Sequence, residues 1–501
     1  MSHLLLANAR VAGVREPVDL LVRDGVVARV APAGTPADSG TPADAGTGAV
    51  PERVDLDGRS VVPGLWDAHT HLTQWALVRR RLDVAAATSA AHAARLVRDA
   101  LTDPATAPPP GRPLVGFGFR WATWAQPPSA AHLDAVAGDT PVVLLSGDLH
   151  TAWASTAGLR FLGIEHPTGL LREDEWIPAS PRIVQVPDDV TDALVVEASR
   201  AAARRGVVGV TDFEVADNLA VWRRRAALGW DGLRVRAGVW PEHLDAVLAE
   251  GLRTGDVLAG NPLLTQGPLK VISDGSLNTR TAYCFEPYAG THEHGLLNVP
   301  TDELVPLMER AAAAGLDCAI HAIGDRANAL ALDAFEASRA HGSVEHAQLL
   351  RRQDVSRFAA AGITASVQPE HAMDDRDVAD ELWPGRTDRA FPLAELVAAG
   401  VTLAFGSDAP VAPLDPWFAI ASAVTRSRDG REPWHAEQAL TLEQALAAST
   451  GGRGVAPQVG APADLAVLDA DLATLGVGSD ALRGVEVAAT LVAGRWAHRH
   501  L

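Results

Sequence analysis

Cysteine and lysine are nearly missing from this sequence, and each scarcity excludes something. Two cysteines, Cys284 and Cys318, cannot build a disulfide framework in 501 residues, and neither lies in a C-x-x-C pair that would begin a cysteine zinc site. A reducing, cytoplasmic location is the expectation. No apolar run reaches the length of a membrane span, so no membrane association is expected. Met1 to Val11 lacks a basic region followed by an apolar block and a small-residue cleavage site; it reads as a first β-strand rather than a signal peptide. Positive charge is also short. The formal net charge of −19 would repel a polyanion over most of the surface, so no nucleic-acid partner is expected.

The lysine deficit is extreme: Lys270 stands alone against 42 arginines. Together with abundant alanine, this looks like a composition pushed from Lys to Arg wherever either serves. A lysine that survives such pressure is expected to do something a guanidinium cannot.

What remains is ordinary for a globular protein, with 47% apolar and 21% charged residues. The length predicts two or three domains. Short apolar runs over residues 3–30, 53–56 and 59–63 read as strands, as do Asp464 to Leu468 and Val485 to Val492. Residues 31–50 are rich in Pro, Gly, Ala and Thr and read as a loop. Strands at both chain ends predict one small β-sandwich domain made of 1–62 with 459–501. Between them, apolar strands alternate with helical stretches, the pattern of βαβ units. Eight such strands are expected: Val61 to His71, Gly206 to Phe213, Leu233 to Trp240, Leu269 to Asp274, Cys318 to Ala322, Ser343 to His346, Ile363 to Gln368 and Val401 to Asp408. The fold class predicted is α/β, a (β/α)8 TIM barrel over 63–458. That count requires 75–200 to be an inserted α/β subdomain, with its own strands at Pro113 to Phe119 and Pro141 to Ser146 and a proline-rich loop at Ala105 to Arg112.

His69 and His71 lie two apart in Asp67-Ala68-His69-Thr70-His71, so on a strand both point to one face and can reach one metal. Lys270, His321, His346 and Asp408 each sit at the end of a predicted strand, where barrel active sites are built. Singly, a buried His reads as a hydrogen-bonded core residue and an Asp after a strand as a helix cap. Six in series are hard to assign to chance. A neutral primary amine can add CO2 and become an anionic carbamate, which guanidinium cannot do. The one lysine therefore occupies a position where that chemistry would be useful; a plain buried ion pair is the alternative.

With these residues in view, the sequence resembles the amidohydrolase superfamily, and within it the branch that includes N-substituted formamide deformylases. The resemblance covers nearly the whole chain. It rests also on Asp274-Gly275-Ser276-Leu277, Arg280-Thr281-Ala282, Pro287-Tyr288, His321-Ala322-Ile323-Gly324-Asp325, Glu345-His346, Gly406-Ser407-Asp408-Ala409-Pro410 and Gly460 to Asp469. Asp148, His150, Trp153 and Ser155 in the insertion fit it too.

The resemblance implies that His69, His71 and Asp408 bind one divalent ion, that His321 and His346 bind a second, and that Lys270, carboxylated by CO2, bridges them. Zinc suits such donors best, with manganese, iron or cobalt as alternatives. A water of lowered pKa would attack a carbonyl, and Asp408 would pass its proton to the leaving nitrogen. Asp325 and Glu345 are candidates to hold ligand rings. Trp66, His150, Trp153, Asp274 and Arg280 are candidate substrate contacts, although aromatics more often pack than line a pocket and Asp-Gly-Ser reads equally as a turn.

The expected function is metal-dependent hydrolysis of an amide, N-formyl or cyclic amide C–N bond in a small, apolar or aromatic substrate. A mononuclear deaminase-type relative is the alternative, and a non-catalytic binding protein on the same fold ranks last because no ligand is lost. The insertion is expected to shape specificity. A homodimer is the default oligomer.

Overall fold

Gly64 is where the chain changes sheets. The computed structural model of the protein describes residues 3–35 and 51–501, except 105, 110, 120, 122–123, 147–150, 180 and 185. In it, the run from Val61 to His71 is not one strand. Ser60–Pro63 pairs antiparallel with Leu465–Leu468, and Leu65–Thr70 pairs in parallel with Val207–Asp212. Gly64 lies between them. A Cβ there would sit 2.1 Å from Val208 Cγ1, so only the bare backbone fits the crossing.

Eight parallel strands form the barrel sheet: Leu65–Thr70, Val207–Asp212, Arg234–Val239, Leu264–Ile272, Cys318–Ala322, Gly342–His346, Thr364–Val367 and Leu403–Phe405, numbered one to eight below. A parallel bridge between Thr70 and Ala409 joins the last segment to the first, and helices run between successive strands, as in a TIM barrel. Strand four begins at Leu264 rather than Leu269. Pro268 lacks a ladder donor, and the register against strand three slips between Ala237 and Val239, so a bulge absorbs it.

Two four-stranded sheets come from the chain ends. One is ordered Val26–Pro32, Val18–Arg23, His3–Ala9, Glu52–Asp55, and the other Arg495–Arg499, Val487–Val492, Leu465–Leu468, Ser60–Pro63. Alternate residues Leu4, Leu6, Leu20 and Val22 of the first share one buried core with Val61, Leu465, Val467 and Leu491 of the second. That is how a sandwich hides one face of each sheet.

Met1–Trp75 with Val196–Leu501 form one compact unit, holding the barrel and both terminal sheets; Ala76–Val195 form another. This second unit has a five-stranded sheet whose strands include Leu114–Phe119 and Val142–Ser146. Its core gathers Phe119, Trp124, Leu133, Leu144 and Trp153. Both cysteines are buried and free, and among the described residues no helix is long and apolar enough to cross a membrane.

Gly64→Ala is expected to lower stability by about 1–3 kcal/mol, the usual cost of overpacking. Chemical denaturation would measure it; an unchanged midpoint would mean that Val208 yields freely.

Candidate metal centre

The side chains at the carboxyl ends of the barrel strands converge on Asp408. Its Oδ1 lies 3.5 Å from His69 Nε2 and 3.3 Å from His71 Nε2. His69 lies in strand one and His71 just past its end, and the i, i+2 spacing lets both imidazoles reach the same carboxylate. Asp408 itself follows strand eight, and its N–H donates to the carbonyl of His69 at 2.7 Å. Asp67 ties the same two segments, its Oδ1 accepting from the N–H groups of His69 (3.1 Å) and Ser407 (2.9 Å).

A second group meets the first at Asp408. His346, at the end of strand six, stacks on His371 with ring centroids 6.2 Å apart, and donor atoms of His346, His371 and Asp408 lie within 4.8 Å of one another. His69, His71 and Asp408 meet the same limit. His321 packs edge-on against His346 at 4.4 Å, but its Nε2 is turned to Asp274 Oδ1 (3.4 Å) and the Gly275 carbonyl (3.3 Å). Lys270, on strand four, is 1% exposed; its Nζ lies 5.1 Å over the Phe213 ring and has no hydrogen-bond partner.

Burial and mutual charge set the protonation states. Burial raises the Asp408 carboxyl, yet the charge of His69 and the hydrogen bond from His71 outweigh it and hold Asp408 well below the usual range. Burial pushes His321 down to about 3, helped by the charge of Lys270, and holds His346 well below its ordinary value. Both rings are therefore neutral, with lone pairs to offer. Burial lowers the Lys270 amine to about 8 against the raising effect of Glu345 and Asp408.

His69 is positioned from behind. Glu345 Oε2 accepts from its Nδ1 at 2.7 Å, which fixes the tautomer that leaves Nε2 facing Asp408. Glu345 Oε1 accepts from Ser343 Oγ. His346 (φ 73°) and Asp408 (φ 55°) both adopt left-handed backbone, uncommon for residues with side chains and frequent where geometry serves a site.

Imidazoles with one carboxylate are a donor set suited to zinc and similar divalent ions. Several polar atoms there are buried without a partner: Lys270 Nζ, His71 Nδ1, His346 Nδ1 and His371 Nε2. Each orphan costs about 1–3 kcal/mol in a protein interior, so the unpartnered imidazole nitrogens gathered around Asp408 fit a site completed by a metal ion.

The sequence missed His371. It opens the helix His371–Leu382 just past strand seven, and a histidine three residues beyond Gln368 was the available signal. Other candidates land elsewhere. Asp325 accepts from Phe285 N–H and Arg389 and touches none of the clustered histidines. Asp274 is fully buried, with its oxygens accepting from the N–H groups of Tyr283, Ile323 and Gly324; it anchors loops and has no surface for a substrate. Trp66 is buried beneath Arg236, its indole donating to Thr211, and Trp153 is a core residue of the second unit, donating to the Ser129 carbonyl. Packing claimed both aromatics. Arg280 is exposed on the loop after strand four, and His150 lies outside the described residues.

Residues 52–498 match the profile of a family described as "Amidohydrolase family". Protein LONG AFTER FAR-RED 3 of Arabidopsis thaliana is 30% identical, covering 79% of this chain and 74% of its own. N-substituted formamide deformylase of Arthrobacter pascens is 26% identical over 88% of this chain and 89% of its own. Among solved structures, an uncharacterized metal-dependent hydrolase from Pyrococcus furiosus superposes with a TM-score of 0.77 at 26% identity, covering 94% of this chain and 99% of that one.

Glu345→Gln is expected to weaken divalent-metal affinity by about 10–100-fold, the usual effect of losing a carboxylate behind a ligand histidine. Competition with a chromogenic chelator would measure it; wild-type affinity would remove Glu345 from that role.

Proposed function

This chain belongs to the amidohydrolase family and is a hydrolase acting on carbon–nitrogen bonds, and from that premise we propose that it cleaves an amide, N-formyl or cyclic amide bond of a small molecule at the Asp408 centre. The observation that carries the reading is the convergence of His69 and His71 on Asp408, with His346 and His371 completing a second cluster on the same carboxylate.

His69, His71 and Asp408 would hold one divalent ion, and His346 with its neighbour His321 the other, His371 adding a further imidazole. A metal pair of this kind, zinc by choice of donors, supplies Lewis acidity toward a carbonyl and lowers the pKa of water. The rest falls to the chain. Asp408, ionised, accepts the proton of the attacking water and delivers it to the leaving nitrogen; an amine leaves poorly as an anion, so this delivery is required. Glu345 keeps His69 in one tautomer through both transfers. Lys270, as the free amine, forms an N–C bond to CO2 and loses a proton, giving an anionic oxygen donor where a cation would repel metal. Its orphaned Nζ and its burial support that role.

Lys270→Arg is expected to keep the fold but cut activity by at least about 100-fold, the upper end of losses for groups that only support ligands, with bound metal falling in elemental analysis. Full activity in that variant would sink the bridging role. Elemental analysis of the wild type, then a hydrolysis screen of N-formyl amines, N-acyl amino acids and cyclic ureides, tests the whole reading: no bound metal and no turnover of any class would refute it.

A further inference from the structure

The unit formed by Ala76–Val195 contains a cavity of about 240 Å³ whose lining belongs entirely to that unit. Its walls are apolar. Val190 and Leu194, four apart on the helix Asp188–Ala203, present one face to it, and Leu77 faces it from another helix. Pro104, Pro108, Pro109 and Pro113 line one side, and fixed proline φ angles resist the collapse that would otherwise fill an apolar void. Among the described residues no carboxylate lines the cavity, whereas Arg80, Arg81 and Arg112 all do.

Arg81 is the telling member. It is half-buried, and among the described residues it has no ion pair or hydrogen bond from its guanidinium. Burial lowers its pKa, and no acid among the described residues opposes the effect. A cation withdrawn from water into an apolar recess, with no acid beside it, is costly unless an anion arrives. A mere packing defect would not gather guanidiniums on its wall.

We propose that this cavity binds a small amphipathic monocarboxylate, its apolar body between Leu77, Val190 and Leu194 and its carboxylate on Arg81. The proposal does not depend on the reaction assigned to the Asp408 centre.

Calorimetric titration of the purified full-length protein with octanoate, and with octanol as the uncharged probe, tests it. Saturable octanoate binding, tighter than octanol, is expected. Arg81→Gln should weaken octanoate by about 10-fold or more, the loss of one charge-assisted hydrogen bond, and leave octanol unchanged. Leu194→Trp should abolish both by filling the cavity, with melting curves verifying that each variant is folded. The proposal is overturned by absence of saturable octanoate binding at millimolar concentration, by equal affinity for octanol, or by octanoate binding that survives Leu194→Trp.

Discussion

A carboxylate taken out of water keeps its charge only when hydrogen-bond donors and cations replace the solvent, and the arrangement around Asp408 follows from that requirement. Its carboxylate meets His69 and His71 directly, and donor atoms of His346 and His371 lie within 4.8 Å of it. The imidazoles must therefore arrive from separate segments, the end of strand one, the end of strand six and the helix after strand seven, which a closed parallel barrel brings together at one end. His69 in turn needs Glu345, since a ring that bonds through Nδ1 presents only Nε2 inward.

The scaffold accepts several unfavourable features to hold this arrangement. Asp67 and Asp274 are buried, and burial raises each to about 7 despite two or three backbone N–H donors. Their task is mechanical. Asp67 clamps the end of strand one to the segment after strand eight, and Asp274 joins the loop after strand four to the one after strand five. His346 and Asp408 take left-handed backbone for the same end, turning their side chains inward just where the strands stop. Such features survive because the surrounding barrel over-determines them.

Much of this was legible in the sequence because periodicity and position are local. The eight barrel strands could be found from apolar runs, His69, His71 and Lys270 from the His-x-His spacing and the lone lysine, and His321, His346 and Asp408 from their places at predicted strand ends. What was not legible is relational. Nothing near Gly64 says that Val208 will press against it, so the break between two sheets was hidden in one continuous apolar run. His371 was lost because it lies on a helix rather than at a strand end. Glu345 could be suspected from its neighbour His346 but serves His69, which is 276 residues away. Trp66 and Trp153 looked like pocket residues only because sequence cannot tell an inward ring from one packed beneath a barrel or within a second core.

The contrast between arginine and lysine carries the last step. Arginines meet the structural demands here: Arg357 pairs with Asp333, Glu336 and Asp354, and Arg483 and Arg428 both engage buried Glu370. In these places a permanent, forked charge is an advantage. At position 270 it would be the opposite. The side chain there is enclosed by the barrel, lies over Phe213 and finds no hydrogen-bond acceptor, so a guanidinium would bring an uncompensated charge among imidazoles that must stay neutral. An amine can lose its proton when burial demands it, and once neutral it can react. The same pressure that replaced lysine elsewhere thus isolates the one position where the difference between the two cations is chemical rather than structural.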